Sequence, residues 1–317
     1  MTRVPILIDT DPGQDDAVML MLAMLSPELE IVAVTAVGGN VPLARTEANA
    51  RRICELMGRR DLVVAAGCDR PLVRELVTAA HVHGESGLRG LELPAPTMAL
   101  DPRHGVDVIV ESARAREGLV LCPIGPLTNV AAALVKAPDV ASRVSRIVLM
   151  GGAIHGGNVT PVAEYNIYAD PEAASVVFRS GAKIAMIGLD CTHQALIGPA
   201  EIAALKRADS TAAKATVAMF DFPERWQPER YGGRVGFPVH DACVIGMLLA
   251  PALFRGRDVH VEVECASPLT LGQTVVDWHG RHGKPANAHV VGDVDAPAFL
   301  RLLVERLGRG SGATATP

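Results

Sequence analysis

Short apolar runs recur through the first part of the chain: Val4–Ile8, Ile31–Val37, Leu62–Ala65, Leu119–Cys122, Arg146–Met150 and Lys183–Ile187. Several are apolar on both faces, a pattern that suits a strand only when helices cover both sides of its sheet. Helical patterns lie between them, at about Asp16–Leu25, Leu43–Met57, Gly105–Arg116, Thr128–Val135 and Pro171–Ser180. This alternation predicts an α/β fold built on an open, mostly parallel sheet flanked by helices. Further on, "DVHVEVEC" and "LTLGQTVVDW" read as an antiparallel hairpin, a small extension of that fold. A last helix runs from about Ala296 to Leu307. No linker or repeat divides the chain, so one domain is expected over residues 1–308, with 309–317 as a disordered tail.

Composition narrows the class further. Hydrophobic residues make up 49% of the chain and aromatics only 3%, so a large core of Ala, Val, Leu and Ile is expected. A formal net charge of −5 points to neither nucleic acid nor a membrane surface. No run reaches the roughly 18 apolar residues of a membrane span. The opening "MTRVPILIDTDPG" lacks a secretion-signal pattern, and the six cysteines include no CxxC pair. A reduced, cytoplasmic location is the expectation.

Each predicted strand ends in a polar or glycine-rich turn: "DTDPGQDD", "GGN", "GPLTN", "MGGAIHGGN" and "GLDCTHQ". In open α/β sheets, ligands bind at these carboxyl ends. The first turn holds Asp9, Asp11, Asp15 and Asp16. Asp9 and Asp11 would point the same way from an extended strand end, and Asp15 and Asp16 fall where a helix begins. A helix cap and a solvated turn would use one or two of them. Four are better explained by a hard divalent cation with oxygen ligands. A second cluster, His240 and Asp241, precedes an apolar helical run, where Asp241 could equally be a helix cap. In a third, Asn158, Glu164 and Asn166 follow a strand in a loop, and such side chains grip sugar hydroxyls.

These segments together resemble the nucleoside hydrolase family, the inosine–uridine preferring N-ribohydrolases. The resemblance is carried by "DTDPGQDDA", "VGGN" at Val37–Asn40, "HGESGL" at His83–Leu88, "GPLTN" at Gly125–Asn129, "AEYNIYADPEAA" and "PVHDA", in order from Ile6 to about Met247. It implies a Ca²⁺ ion bound by Asp11, Asp16, Asp241 and the backbone carbonyl of Ile124. The family often has threonine at that last position, but a carbonyl ligand does not depend on the side chain. Asp9 would orient the ligands from behind. Asn40, Met150, Asn158, Glu164 and Asn166 match ribose-binding positions, and Asp15 matches the general base. The family resemblance also implies a homodimer or homotetramer.

The chemistry expected is hydrolysis of the N-glycosidic bond of ribonucleosides to free base and ribose. Breaking that bond builds positive charge on the sugar, which surrounding carboxylates stabilise. His240 is the candidate acid for the departing base, being of the residue type that titrates near neutral pH. His83, Trp226, Gln227 and Tyr231 are candidate base contacts. Gln227 and Tyr231 resemble the base-reading pair of the pyrimidine-preferring branch, although Pro228 between them permits a helix only if it starts there. Two alternatives use the same residues differently. In a Mg²⁺ phosphatase, Asp9 would be the nucleophile; in a non-catalytic riboside or Ca²⁺-binding module, Asp15 would have no proton to move.

Overall fold

The computed structural model describes residues 3–223 and 226–309. Its centre is an eight-stranded sheet. Strands β1 (Val4–Thr10), β2 (Leu29–Ala36), β3 (Val64–Ala66), β4 (Val120–Pro123), β5 (Arg146–Met150) and β6 (Ile184–Ile187) realise the six predicted runs with slightly shifted ends. Two short antiparallel pairs lie outside it: β7 (Leu196–Ile197) with β8 (Phe237–Pro238), and β10 (Val261–Val263) with β11 (Thr274–Val276). Strands β9 (Phe254–Val259) and β12 (Ala288–Val294) complete the main sheet, in the order β3-β2-β1-β4-β5-β6-β12-β9. All its pairings are parallel except the last, where β9 runs against β12.

The sequence did not predict β9 and β12, and their presence redraws the expected hairpin. Asp258 and Val259 end β9 in the main sheet, and only the later part of "DVHVEVEC" pairs with β11. Of the predicted tail, Arg309 is described and 310–317 lie outside the described residues.

Side chains of β1 alternate between two cores. Ile6 and Ile8 pack on one side of the sheet with Val18 to Leu22, while Leu7 packs on the other with Ile109 and Leu121. The helix Gln14–Met24 is buried along almost its whole length, with Ala17 to Leu22 fully inside. A helix apolar all round belongs in the centre of a core. Among the described residues, no helix is long and apolar enough to cross a membrane.

The topology fixes where a ligand can sit. From β1 the chain moves outward through β2 and β3, then returns to the other side of β1 as β4 and continues through β5 and β6. The order therefore reverses between β1 and β4, and the crevice beyond their carboxyl ends is the natural ligand site of such a sheet. Asp9 stands opposite Pro123 in that register, and Ile124 N–H donates to the Asp9 carbonyl at 2.8 Å.

The C-terminal helix Ala296–Gly308 closes one core. Phe299 is fully buried and meets Phe254 edge-on, with ring centroids 5.7 Å apart. Phe299→Ala leaves a cavity there and is expected to lower stability by about 3–5 kcal/mol. Urea unfolding checks this: the midpoint falls while the slope of free energy against denaturant stays that of the wild type.

Candidate active site

A cavity of about 560 Å³ opens over the β1–β4 crevice. Its lining includes Asp15, Asp16 and Asp241, together with Asn40, Ile124 and Met150. One carboxylate oxygen from each of Asp15, Asp16 and Asp241 lies within 4.8 Å of the others. Local structure explains how they converge. Asp16 sits in the first turn of the helix Gln14–Met24 and is fixed by four donors: Thr10 Oγ1 at 2.6 Å, Gly13 N at 2.9 Å, Asp11 N at 3.2 Å and Asn40 Nδ2 at 3.2 Å. Asp241 occupies the cap position of the helix Ala242–Leu249, yet its side chain makes no capping hydrogen bond. Capping therefore does not account for Asp241.

Asp11 lies deeper, 0% exposed and outside the cavity lining. Its Oδ2 accepts from Asn40 N at 2.7 Å, while its Oδ1 is buried with no hydrogen-bond partner. Two glycines make room for this carboxylate. A Cβ on Gly39 would collide with Oδ2, and one on Gly125 would collide with Oδ1. Asp9 lies behind, its Oδ1 accepting from Thr35 Oγ1 at 2.6 Å and Asn129 Nδ2 at 2.8 Å, and its Oδ2 unpartnered. Asp9 is buried and absent from the cavity lining, so it cannot serve as a phosphatase nucleophile there.

Burial raises the proton affinity of all these carboxylates. Asp9 is pushed up to about 7 and Asp15 to about 6, chiefly by desolvation. Asp11, Asp16 and Asp241 are raised by burial and then by neighbouring carboxylates, Asp16 acting on Asp11, and Asp15 first on both Asp16 and Asp241. Such a cluster is costly unless a cation compensates it. The orphaned Asp11 oxygen and the all-oxygen donor set fit a divalent metal ion.

The wall beside this floor carries hydrogen-bonding side chains. Glu164 caps the helix Tyr165–Ala169, accepting from Asn166 N at 2.9 Å and Ile167 N at 3.2 Å, and also from Gly152 N at 2.9 Å. Its proton affinity is raised to about 7 by burial. Asn166 Nδ2 donates to the carbonyls of Ile124 at 3.0 Å and Met150 at 3.1 Å, tying two strand ends together. Asn158 accepts from Tyr165 N at 2.9 Å. Above them, His83 Nδ1 lies 4.0 Å from Asp15 Oδ1. His240 Nδ1 is 2.7 Å from Thr192 Oγ1.

Gln227 and Tyr231 line the cavity, and a 3₁₀ turn does begin at Pro228, spanning Pro228–Tyr231. Trp226 does not line it; its indole N–H is buried without a partner. The structure adds residues that the sequence reading left out: His193, Arg89, Phe220 and Phe237. His193 stands between Tyr231 and His240, with ring centroids 5.2 and 5.5 Å away. Its only signal was its place in the strand-end segment "GLDCTHQ".

A mostly parallel sheet with buried carboxylates at its switch point and hydrogen-bonding side chains beside them defines an α/β protein with a polar ligand site at the strand ends. Comparison with known proteins gives the family. The sequence profile of the inosine-uridine preferring nucleoside hydrolases matches residues 6–301. A pyrimidine-specific ribonucleoside hydrolase RihA from Shewanella sp. (strain ANA-3) is 46% identical over 96% of each chain. The RihA of Photobacterium profundum is 45% identical, over 96% of this chain and 98% of that one. Among solved structures, a purine-preferring ribonucleoside hydrolase from Gardnerella vaginalis has a TM-score of 0.89 at 32% identity, covering 96% of this chain and 98% of that one. The chain belongs to the inosine-uridine preferring nucleoside hydrolase family, and its reaction is the hydrolysis of ribonucleosides.

The glycine cradle of Asp11 generates a test that does not depend on turnover. Gly39→Ala pushes Asp11 out of place and is expected to weaken binding of a divalent cation. In the wild type, added CaCl₂ is expected to raise the melting temperature, because an ion bound only by the native state stabilises it. In Gly39→Ala the same titration is expected to give a much smaller rise.

Proposed function

We propose that the chain hydrolyses pyrimidine ribonucleosides, uridine and cytidine ahead of purine ribonucleosides, with Ca²⁺ as its resident cation. The observation that carries this is the cavity floor, where three carboxylates converge above a fourth with an unpartnered buried oxygen. The pyrimidine preference is supported by the similarity to the Shewanella enzyme and by Gln227 and Tyr231 in the wall. A glutamine amide offers one donor and one acceptor side, which suits the alternating carbonyl and N–H edge of uracil.

Asp11, Asp16, Asp241 and the Ile124 carbonyl are the residues that would hold the ion. Bound there, it supplies Lewis acidity toward water and an anchor for vicinal hydroxyls. Asp15 takes the proton of the attacking water; it faces the cavity, whereas Asp11 does not. Asn40, Asn158, Glu164 and Asn166 orient the ribose over Met150, and their oxygens stabilise the positive charge that grows at C1′. His240, its Nδ1 engaged by Thr192, protonates the departing base. The cytoplasmic location and the homodimeric or homotetrameric assembly rest on the sequence and its family resemblance alone.

The test is a panel of ribonucleosides with free base and ribose as readouts; uridine and cytidine are expected to give the highest kcat/KM. In that panel, 2′-deoxyuridine is expected to fall behind uridine by about 10⁴–10⁵-fold, because a site built around a hydroxyl leaves its own polar groups unpaired when the hydroxyl is missing. A second measurement separates proton from metal. Asp15→Asn is expected to retain its cation by atomic emission while losing about 10²–10⁴-fold in single-turnover rate. Asp11→Asn is expected to lose cation and rate together. Normal turnover by Asp15→Asn would mean that Asp15 is not the base.

A further inference from the structure

We propose that Arg89 receives the departing base: its guanidinium donates to the pyrimidine O2 carbonyl and holds the negative charge that the base acquires as the C1′–N1 bond breaks. This rests on the pyrimidine nucleosidase reading above.

Arg89 is half-buried and lines the same cavity as the carboxylates. Arg51, Arg59, Arg74 and Arg103 are each paired with a carboxylate, but Arg89 forms no salt bridge among the described residues. An arginine facing a substrate cavity without a protein counter-charge has its donors available to a ligand. Its position is fixed from two sides. Gln14 Nε2 donates to the Arg89 carbonyl at 3.1 Å and to the Met219 carbonyl at 2.5 Å, which ties Arg89 to the helix Thr211–Phe220 and to the turn bearing Asp15 and Asp16. The side chain then runs across Gly84, where an added Cβ would come within 3.3 Å of Arg89 Nε. Gly84 has φ +78°, so glycine also suits the backbone there.

Phe220 and Phe237, which meet edge-on at 5.8 Å, and His240 line the same cavity as Arg89. A planar base set against these rings presents its carbonyl edge to a guanidinium. Water oxygen bonds to C1′ and gives its proton to Asp15. The C1′–N1 pair stays on N1 and spreads onto O2 and O4, and the base is finally protonated through His240 or solvent. The hydrogen bond from Arg89 strengthens as O2 becomes anionic, so it favours the transition state over bound substrate.

The experiment compares Arg89→Met, Arg89→Lys and Arg89→Gly on uridine and on p-nitrophenyl riboside, whose nitrophenolate leaves readily without help. Arg89→Met is expected to lower kcat on uridine by about 10²-fold, the scale of losing one donor at a developing anion, with KM little changed. Its kcat on p-nitrophenyl riboside is expected to stay near the wild-type value, which also reports an intact fold. Arg89→Lys is expected to fall between, and added guanidinium ion to restore part of the uridine rate of Arg89→Gly. Equal losses on both substrates, or an unchanged uridine rate in Arg89→Met, would overturn the role of Arg89 while leaving the nucleosidase standing. A wild-type enzyme that frees no base from uridine would instead overturn the pyrimidine reading.

Discussion

Like charges brought together out of water repel, and the architecture around the β1–β4 crevice is organised to tolerate that repulsion. Asp16 is held by a threonine hydroxyl, two backbone N–H groups and the Asn40 amide, Asp11 by a third N–H between two glycines, and Asp9 by Thr35 and Asn129. These donors offset part of the desolvation cost but leave oxygens of Asp9 and Asp11 unpaired. A divalent cation held there would supply what the protein donors do not. It would also offer a positive point to sugar hydroxyls, so that the stability and the chemistry of the site would have one origin.

The parallel part of the fold was legible because its strands are buried on both faces, and such strands write themselves as unbroken apolar runs. The edge was not. β9 reads Phe-Arg-Gly-Arg-Asp-Val, with only its two ends buried and charged residues between. Charges on an edge strand discourage pairing with other chains, but they also erase the apolar pattern by which a strand is recognised. The helix Thr211–Phe220 was missed for a different reason: it is rich in alanine and threonine and has few large apolar residues to mark a face.

The floor of the site was legible for a related reason. Carboxylates crowded beside apolar runs have few innocent explanations, so Asp9, Asp11, Asp15 and Asp16 drew attention in sequence. Phe220 and Phe237 did not, because an isolated phenylalanine is expected in a core and nothing local says that it faces a cavity. Arg89 has no local signal either; its place is set by Gln14, distant in sequence, which donates to its carbonyl. His193 became meaningful only when Tyr231 and His240, distant in sequence, were found on either side of it.

The helix Gln14–Met24 begins with the carboxylates and continues as the most enclosed helix of the core. Its first turn therefore cannot be repositioned without repacking the centre of the molecule. The wall opposite is made of short turns and helix ends, where a residue can be exchanged at little structural cost. The fold thus separates what can diversify from what cannot: on the proposed function, selection could retune base preference along Arg89, Gln227 and Tyr231 while the carboxylate floor stays fixed by the core. A pyrimidine-specific relative and a purine-preferring one sharing a single architecture is the outcome such a partition allows.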